Sequence, residues 1–267
     1  AKRAIHLDEF AWDLWNLYFS RNFVTSDYEV SDESFVYGGF PRENRGRNQR
    51  FLQRLRNRGY WVGYDERLRN PAWVAYRLFE VQGMAEILPR PDSFFPDERT
   101  LIQVQSEDYT GSGFDRGHMA PNFAIARCYG REAQEETFLM SNIVPQRHAL
   151  NAGLWKTLEM REAINYPARF REIWVLTGPL FRSDMPKVLP SGIPIPDAFY
   201  KIYLDELNGK IRATAFLFEQ DDNSKEALGK RLCSIDHIEK LTGLDFFPEL
   251  DEAVQQELES NVAARAW

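Results

Sequence analysis

Short segments rich in aromatic and β-branched residues recur along the middle of the chain, separated by polar loops. Four of them are predicted as strands: 60–64, 73–79, 173–177 and 210–218. The dipeptide Asn208-Gly209 precedes the last one, and this dipeptide is a strong hairpin signal when apolar segments flank it. The pattern therefore predicts a sheet in which neighbouring strands run antiparallel.

Other segments carry apolar residues at helical spacing. Residues 5–23 combine an aromatic face with acids and a few polar residues, which is typical of a helix that packs on a core or a second subunit. Helices are also predicted over 132–140, 153–163 and 234–242, with Ser234 as the N-cap of the last. Strands and helices mix without βαβ regularity, so the preferred class is α+β with a mainly antiparallel sheet flanked by helices.

The organisation along the chain divides into three parts. Residues 1–33 are predicted as an N-terminal helical extension available for a dimer or partner contact, 34–248 as the main domain, and 249–267 as an acidic helical tail. No apolar run approaches 18 residues and no signal-peptide series is present, so we expect a soluble protein with no membrane association. The sequence does not distinguish a cytoplasmic location from a periplasmic or exported one reached after a leader has been removed.

Composition adds two constraints. The 267 residues are 43% hydrophobic and 27% charged, which is enough apolar material for one large core or two small ones. The two cysteines, Cys128 and Cys233, are too few for a disulfide scaffold and lie in no zinc-binding pattern, although one bridge remains open.

The charge balance argues weakly against a nucleic-acid partner. Lys and Arg number 33 and Asp and Glu 40, so the net charge is −7, which repels a polyanion unless basic residues gather on one face. Seven arginines between Arg42 and Arg58 are the candidate phosphate-binding face; alternatively, they cover an ordinary solvated helix. Acids such as Asp205, Glu257 and Glu259 are then expected to face away.

Three blocks hold the candidate chemistry: 111–121, 141–146 and 150–159. Polar residues crowd there against Gly and Pro, as at a site built on a strand end, a loop and a helix start. His118 is a base at neutral pH, and the adjacent Arg116 disfavours its protonated form, so a general base is its natural role.

Asn151 and Glu159 are eight residues apart, or about two helical turns. If a helix begins at Asn151, both polar groups project from the same face. Two hard oxygens on one face suit Mg²⁺, which takes one or two protein oxygens and keeps several waters. Substitution by Mn²⁺ is left open.

The tetrapeptide Asp115-Arg116-Gly117-His118, followed by Asn151 and Glu159, resembles the ββα-metal superfamily of DNA/RNA non-specific endonucleases. The similarity extends over about residues 37–248, most of the chain. The resemblance implies a ββα-metal nuclease fold and a Mg²⁺-dependent phosphodiesterase. We expect hydrolysis of DNA, RNA or both to 5′-phosphate products.

The same resemblance implies a role for each residue of the motif. His118 is the expected general base, Asn151 the direct ligand of Mg²⁺, and Glu159 the residue that holds its water. Arg116 is expected to approach the phosphate.

Two further residues receive roles by resemblance, and Asp115 receives one from its position beside Arg116. Arg90, in Arg90-Pro91-Asp92-Ser93-Phe94, matches a second phosphate-binding arginine, and Asn142 matches an asparagine that supports the site. Asp115 is expected to fix a turn or to orient the histidine.

The resemblance also implies partners: DNA or RNA held through its backbone, and a second copy in a homodimer. Because a free nuclease in the cytosol would be toxic, an inhibitor, an activating partner or export is also expected. Two alternatives to a constitutive nuclease stay open at this point. One is an inactive relative that binds nucleic acid without turnover, and the other is a nuclease gated by its partner.

Overall fold

The computed structural model describes residues 23–31, 34–44, 51–83, 87–223 and 227–267. The predicted helix over 5–23 lies outside the described residues except for Phe23. The strands are β1 (Val24–Thr25), β2 (Arg42–Glu43), β3 (Leu52–Arg56), β4 (Trp61–Asp65), β5 (Asn70–Phe79), β6 (Asp115–His118), β7 (Ile143–Gln146), β8 (Glu172–Leu180), β9 (Ala198–Leu207), β10 (Lys210–Glu219), β11 (Leu232–Cys233) and β12 (Leu244–Asp245).

The helices are α1 (Asn122–Tyr129), α2 (Arg131–Glu136), α3 (His148–Leu150), α4 (Lys156–Met160), α5 (Tyr166–Phe170), α6 (Ile235–Thr242) and α7 (Glu252–Ser260). The helices α3, α4 and α5 are joined by the wider turns Asn151–Trp155 and Arg161–Asn165, so residues 148–170 form one helical run that we call the long helix. It is kinked at Gly153, whose backbone is not helical. Three short 3-10 turns lie at Ser106–Tyr109, Met140–Asn142 and Leu228–Arg231.

Within the described part of the chain, eight strands form one sheet in the order β1-β10-β9-β8-β5-β4-β3, with β11 beside β10. All neighbouring strands in it are antiparallel. The four predicted strands are confirmed as parts of β4, β5, β8 and β10. Asn208 and Gly209 both have positive φ, 53° and 75°, as the predicted hairpin turn requires.

Successive residues of the sheet point to opposite faces, and each face carries its own core. On β5, Val74 and Tyr76 belong to the first core, which the long helix and α1 cover. Trp73 and Ala75 belong to the second core, covered by α6, α7 and the segment 34–40. This three-layer arrangement confirms the α+β class. No helix of the described residues is long and apolar enough to cross a membrane.

The pair β6 and β7 forms a small antiparallel ladder outside the central sheet, with Asp115 opposite Gln146 and His118 opposite Ile143. The long helix begins two residues after β7 ends. The order strand, strand, helix is the unit that the ββα resemblance predicts.

The structure corrects several local predictions. The segment 52–56 is the edge strand β3, not a solvated helix, because it pairs with β4 along its whole length. The helix predicted over 132–140 ends at Glu136, and the long helix begins at His148, three residues before Asn151. These ends depend on contacts between distant segments, which the local pattern does not contain.

Two of the acids that were expected to face away from a basic groove are buried. Asp205 is 1% exposed and pairs with Arg212 at 3.0 Å between Oδ2 and Nη2. Glu259 is 5% exposed on α7, the helix that places Leu258 in the second core. Glu257 is exposed, as expected.

Candidate active site

Gly117 allows β6 and β7 to approach closely at the centre of the motif. A Cβ atom at this position would lie 2.5 Å from Oε1 of Gln146 and 2.7 Å from its Cβ. Real side-chain atoms do not tolerate such separations, so only glycine fits. The close pairing fixes His118 relative to the start of the long helix.

Asn142 holds the backbone just after His118. Its Oδ1 accepts a hydrogen bond from the N–H of Ala120 at 2.8 Å, and its Nδ2 donates to the carbonyls of Ala120 at 3.0 Å and Thr137 at 2.9 Å. The side chain is fully buried and lies outside the cleft wall. Asn142 therefore links the backbone after β6, at Ala120, to the backbone after α2, at Thr137.

His118 lies 9% exposed between two aromatic rings, 5.5 Å from the centroid of Phe94 and 4.8 Å from that of Phe138. Its Nε2 is buried and has no hydrogen-bond partner. Burial, with a smaller contribution from the positive charge of Arg90, lowers the pKa of His118 to about 3. The imidazole is neutral at physiological pH as predicted, but the cause is burial and Arg90, not the adjacent Arg116.

Arg90 and Arg116 bring positive charge to the same place. Arg116 donates from Nε and Nη2 to the carbonyl of Ser106, at 3.1 and 2.5 Å, and from Nη2 to Oγ1 of Thr110 at 3.2 Å. Arg90 is exposed, and its guanidinium carbon lies 5.1 Å from the centroid of the Phe138 ring. Arg90 is thus the less constrained of the two.

Asn151 is anchored across the ββα unit by Asp115. Its Nδ2 donates to Oδ2 of Asp115 at 2.9 Å, and the same oxygen lies 2.8 Å from Nδ1 of the exposed His148. Asn151 Oδ1 accepts no hydrogen bond from the described residues. The side chain is not an N-cap, because the helical run begins before it.

Glu159 lies on α4, the part of the long helix that follows the kink at Gly153. Burial raises its pKa to about 7, and the positive charge of Lys201 opposes that increase. Lys201 is itself fully buried and donates to both carboxylate oxygens of Glu162, at 3.0 and 2.9 Å. Glu159 is therefore close enough to the buried ion pair of Lys201 and Glu162 for both charges to act on its pKa.

A cleft of about 300 Å³ joins these groups. Five of the seven predicted site residues line it: Arg90, Arg116, His118, Asn151 and Glu159. Asp115 and Asn142 do not, and they touch the lining residues or the adjacent backbone instead. The sequence thus predicted a set that the fold brings to one surface.

Lys156 also lines the cleft and was missed. It lies on the long helix three residues before Glu159, and this spacing, which makes helical neighbours, was the signal available in the sequence. The exposed His148 lies outside the cleft wall and contacts Asp115.

The described part of the predicted basic face, Arg42 and residues 52–58, lies outside the cleft wall. None of its described arginines lines the cleft. Arg54 covers the ring of Phe40, with 4.5 Å between guanidinium carbon and ring centroid, and Arg58 pairs with Glu132 and Glu136 at 2.8 and 2.7 Å.

The donors fit a hard divalent cation. Oδ1 of Asn151 is the unengaged oxygen of an amide whose nitrogen is fixed, and the Glu159 carboxylate lines the same cleft. One or two protein oxygens beside an open cleft are what Mg²⁺ takes when it keeps waters or binds a phosphate.

Comparisons with known proteins agree with this geometry. The model of the family described as DNA/RNA non-specific endonuclease matches residues 40–253. Nuclease EXOG, mitochondrial, of Xenopus laevis is 32% identical over 209 residues, 71% of this chain and 57% of that protein. Nuclease C1 of Cunninghamella echinulata var. echinulata is 31% identical over 238 residues, 83% of this chain and 90% of that protein.

Among solved structures, the crystal structure of the EndoG/EndoGI complex superposes with a TM-score of 0.70 at 25% identity. The match covers 83% of this chain and 95% of that one. This chain spans little more than half the length of the mitochondrial relatives from Xenopus laevis and Homo sapiens, 57% and 55%. From the family match over most of its length, together with the ββα unit, we conclude that this chain belongs to the family of DNA/RNA non-specific endonucleases.

Proposed function

We propose that this chain is a metal-dependent nuclease that hydrolyses phosphodiester bonds of DNA, RNA or both without sequence preference. The observation that carries the proposal is the neutral, buried His118 with an unpartnered Nε2, on the wall of the same cleft as Asn151 and Glu159. Family membership supports the reaction class.

In this proposal His118 is the general base. The imidazole must be neutral to take a proton from the attacking water, and its low pKa keeps it so. A phosphodiester beside Arg90 would cancel part of the positive field that lowers this pKa. The basicity of His118 therefore rises when substrate binds, which couples proton transfer to occupancy of the cleft.

Asn151 would hold the cation directly through Oδ1, and Glu159 would hold the water around it. When bound, Mg²⁺ would neutralise negative charge that develops on the phosphate and on the departing 3′ oxygen. Asp115 orients Asn151 through the 2.9 Å hydrogen bond, so the ligand oxygen is preorganised. Departure of the 3′ oxygen leaves a 5′-phosphate on the product.

Arg90 and Arg116 would bind the phosphate. Guanidinium groups match phosphate oxygens in geometry as well as in charge. Contacts of this kind position the backbone and carry no sequence information. The lack of sequence preference follows from them.

Circular single-stranded DNA tests the proposal directly. We expect loss of the circle in Mg²⁺ and not in EDTA, and a decrease in rate of at least about 100-fold in His118→Ala. His237→Ala is the matched control, because His237 is an exposed histidine on α6 away from the cleft. Equal rates for His118→Ala and the parent would refute the assignment of the base.

The proposal extends to protein partners. The EndoG structure contains the inhibitor EndoGI, and this supports the idea that a protein inhibitor binds this chain as well. A homodimer remains a prediction that a solution mass measurement can check. Binding of DNA without cleavage in every metal condition would favour the inactive or partner-gated alternatives.

A further inference from the structure

A second cluster of acidic side chains lies on the other face of the sheet. Asp236 and Glu239 on α6 and Glu259 on α7 have carboxylate oxygens that all lie within 4.8 Å of one another. Both helices pack on the second core, whereas the cleft belongs to the face covered by the long helix. The cluster therefore has no part in the candidate active site.

Glu259 is the unusual member of this acidic cluster. It is 5% exposed, its Oε1 is buried, and no described donor reaches that atom. A buried carboxylate oxygen without a partner is costly, and native structures pair such atoms with a donor, a water or an ion. A carboxylate oxygen of Glu259 lies within 4.8 Å of carboxylate oxygens of both Asp236 and Glu239.

The surrounding charges increase that cost. Besides burial, the charges that act most strongly on Glu259 are those of Glu239, Asp245 and Asp236, and together they raise its pKa to about 9. Burial also raises the pKa of Glu239 to about 7. Glu259 lies in the last turn of α7, where the partial charge of the helix end is negative as well. A cation among the three carboxylates would offset the repulsion between their negative charges.

We propose that Asp236, Glu239 and Glu259 bind a divalent cation, Ca²⁺, which joins α6 to α7. Three carboxylates exceed the one or two that Mg²⁺ normally takes, whereas Ca²⁺ accepts six to eight oxygens in flexible geometry. The cluster contains no imidazole or thiolate, which argues against zinc and copper.

The ion would stabilise the native fold without entering the reaction. The proposed ligands Glu239 on α6 and Glu259 on α7 are 20 residues apart in sequence and come together only in the folded chain. A ligand that binds only the folded state raises Tm. This inference is independent of the proposed nuclease activity.

The test is a Ca²⁺ titration of metal-stripped protein carrying Asn151→Ala, which removes the proposed ligand in the cleft. We expect heat of binding in calorimetry, and a rise in Tm of roughly 5 °C at Ca²⁺ about 100 times Kd. Adding Glu259→Gln should weaken binding at least tenfold and, at the same Ca²⁺ concentration, reduce the rise in Tm to about half or less. Glu257→Gln is the matched control, because it removes one exposed charge from the same helix and should retain the full response.

Two outcomes would overturn the proposal. One is no heat and no change in Tm at millimolar Ca²⁺ in the Asn151→Ala protein. The other is an equal response with and without Glu259→Gln. We expect Glu259→Gln to fold, since the amide keeps the shape of the side chain, and circular dichroism checks this.

Discussion

Oδ2 of Asp115 accepts a hydrogen bond from Nδ2 of Asn151 across 2.9 Å, linking the first strand of the ββα unit to its helix. An amide has one nitrogen and one oxygen, so fixing the nitrogen also fixes the direction of Oδ1. The same Asp115 oxygen contacts Nδ1 of His148 at 2.8 Å. The first residue of the motif thereby acts on the proposed metal ligand, whereas the sequence suggested a turn or an effect on His118.

Replacing Asp115 by Ala should weaken metal activation. Without the acceptor, the Asn151 amide loses its fixed orientation, and loss of such a supporting contact typically costs 10- to 100-fold in metal affinity. We expect the Mg²⁺ concentration for half-maximal cleavage to rise by about that factor, with most of the rate recovered at high Mg²⁺.

His148→Gln is the control for this prediction. His148 touches the same carboxylate, but its side chain is 80% exposed, so its removal should change Mg²⁺ activation little. Unchanged Mg²⁺ dependence in Asp115→Ala would mean that the 2.9 Å hydrogen bond does not orient a ligand.

The depressed pKa of His118 predicts a pH-dependent loss of stability. In the unfolded chain histidine titrates near 6.5, whereas in the folded chain the pKa is about 3. Below about pH 6.5 the histidine of the unfolded chain binds a proton, whereas His118 in the folded chain stays unprotonated. The free energy of unfolding therefore decreases as the pH is lowered from about 6.5 to about 3.

Comparison with His118→Gln isolates this effect. Between pH 7 and pH 5 the parent should lose about 2 kcal/mol more stability than the variant, measured by urea denaturation at each pH. Parallel pH dependence in the two proteins would show that His118 titrates normally and is not buried as described.

Asn142→Ala should destabilise the protein. It removes three hydrogen bonds and leaves the backbone groups of Ala120 and Thr137 without partners in a buried place. We expect a loss of about 3 kcal/mol and a Tm lower by roughly 5 °C. An unchanged Tm with reduced cleavage would instead place Asn142 in the chemistry.

Arg90→Gln should weaken binding to all nucleic-acid sequences alike. One phosphate contact fewer should reduce the slope of log K against log salt by about 1. Binding of the His118→Ala protein to labelled oligonucleotides, with and without Arg90→Gln, measures this in the absence of cleavage.

Lys210→Gln is the control for the arginine. Lys210 is an exposed cation on β10 that does not line the cleft, so its loss should leave the salt slope nearly unchanged. A loss confined to some sequences in Arg90→Gln would contradict recognition through the backbone.

The sequence by itself determined four of the eight strands of the sheet and five of the residues that line the cleft. Segments rich in β-branched and aromatic residues specify β5 and β8 locally, and the resemblance of a short motif with fixed spacing identifies His118, Asn151 and Glu159. Only the tertiary structure decided the electrostatics. The pKa of His118 depends on Phe94, Phe138 and Arg90, and the burial of Glu259 depends on α7 packing against the second core. Desolvation is set by atoms from distant segments, and no local pattern along the chain contains them.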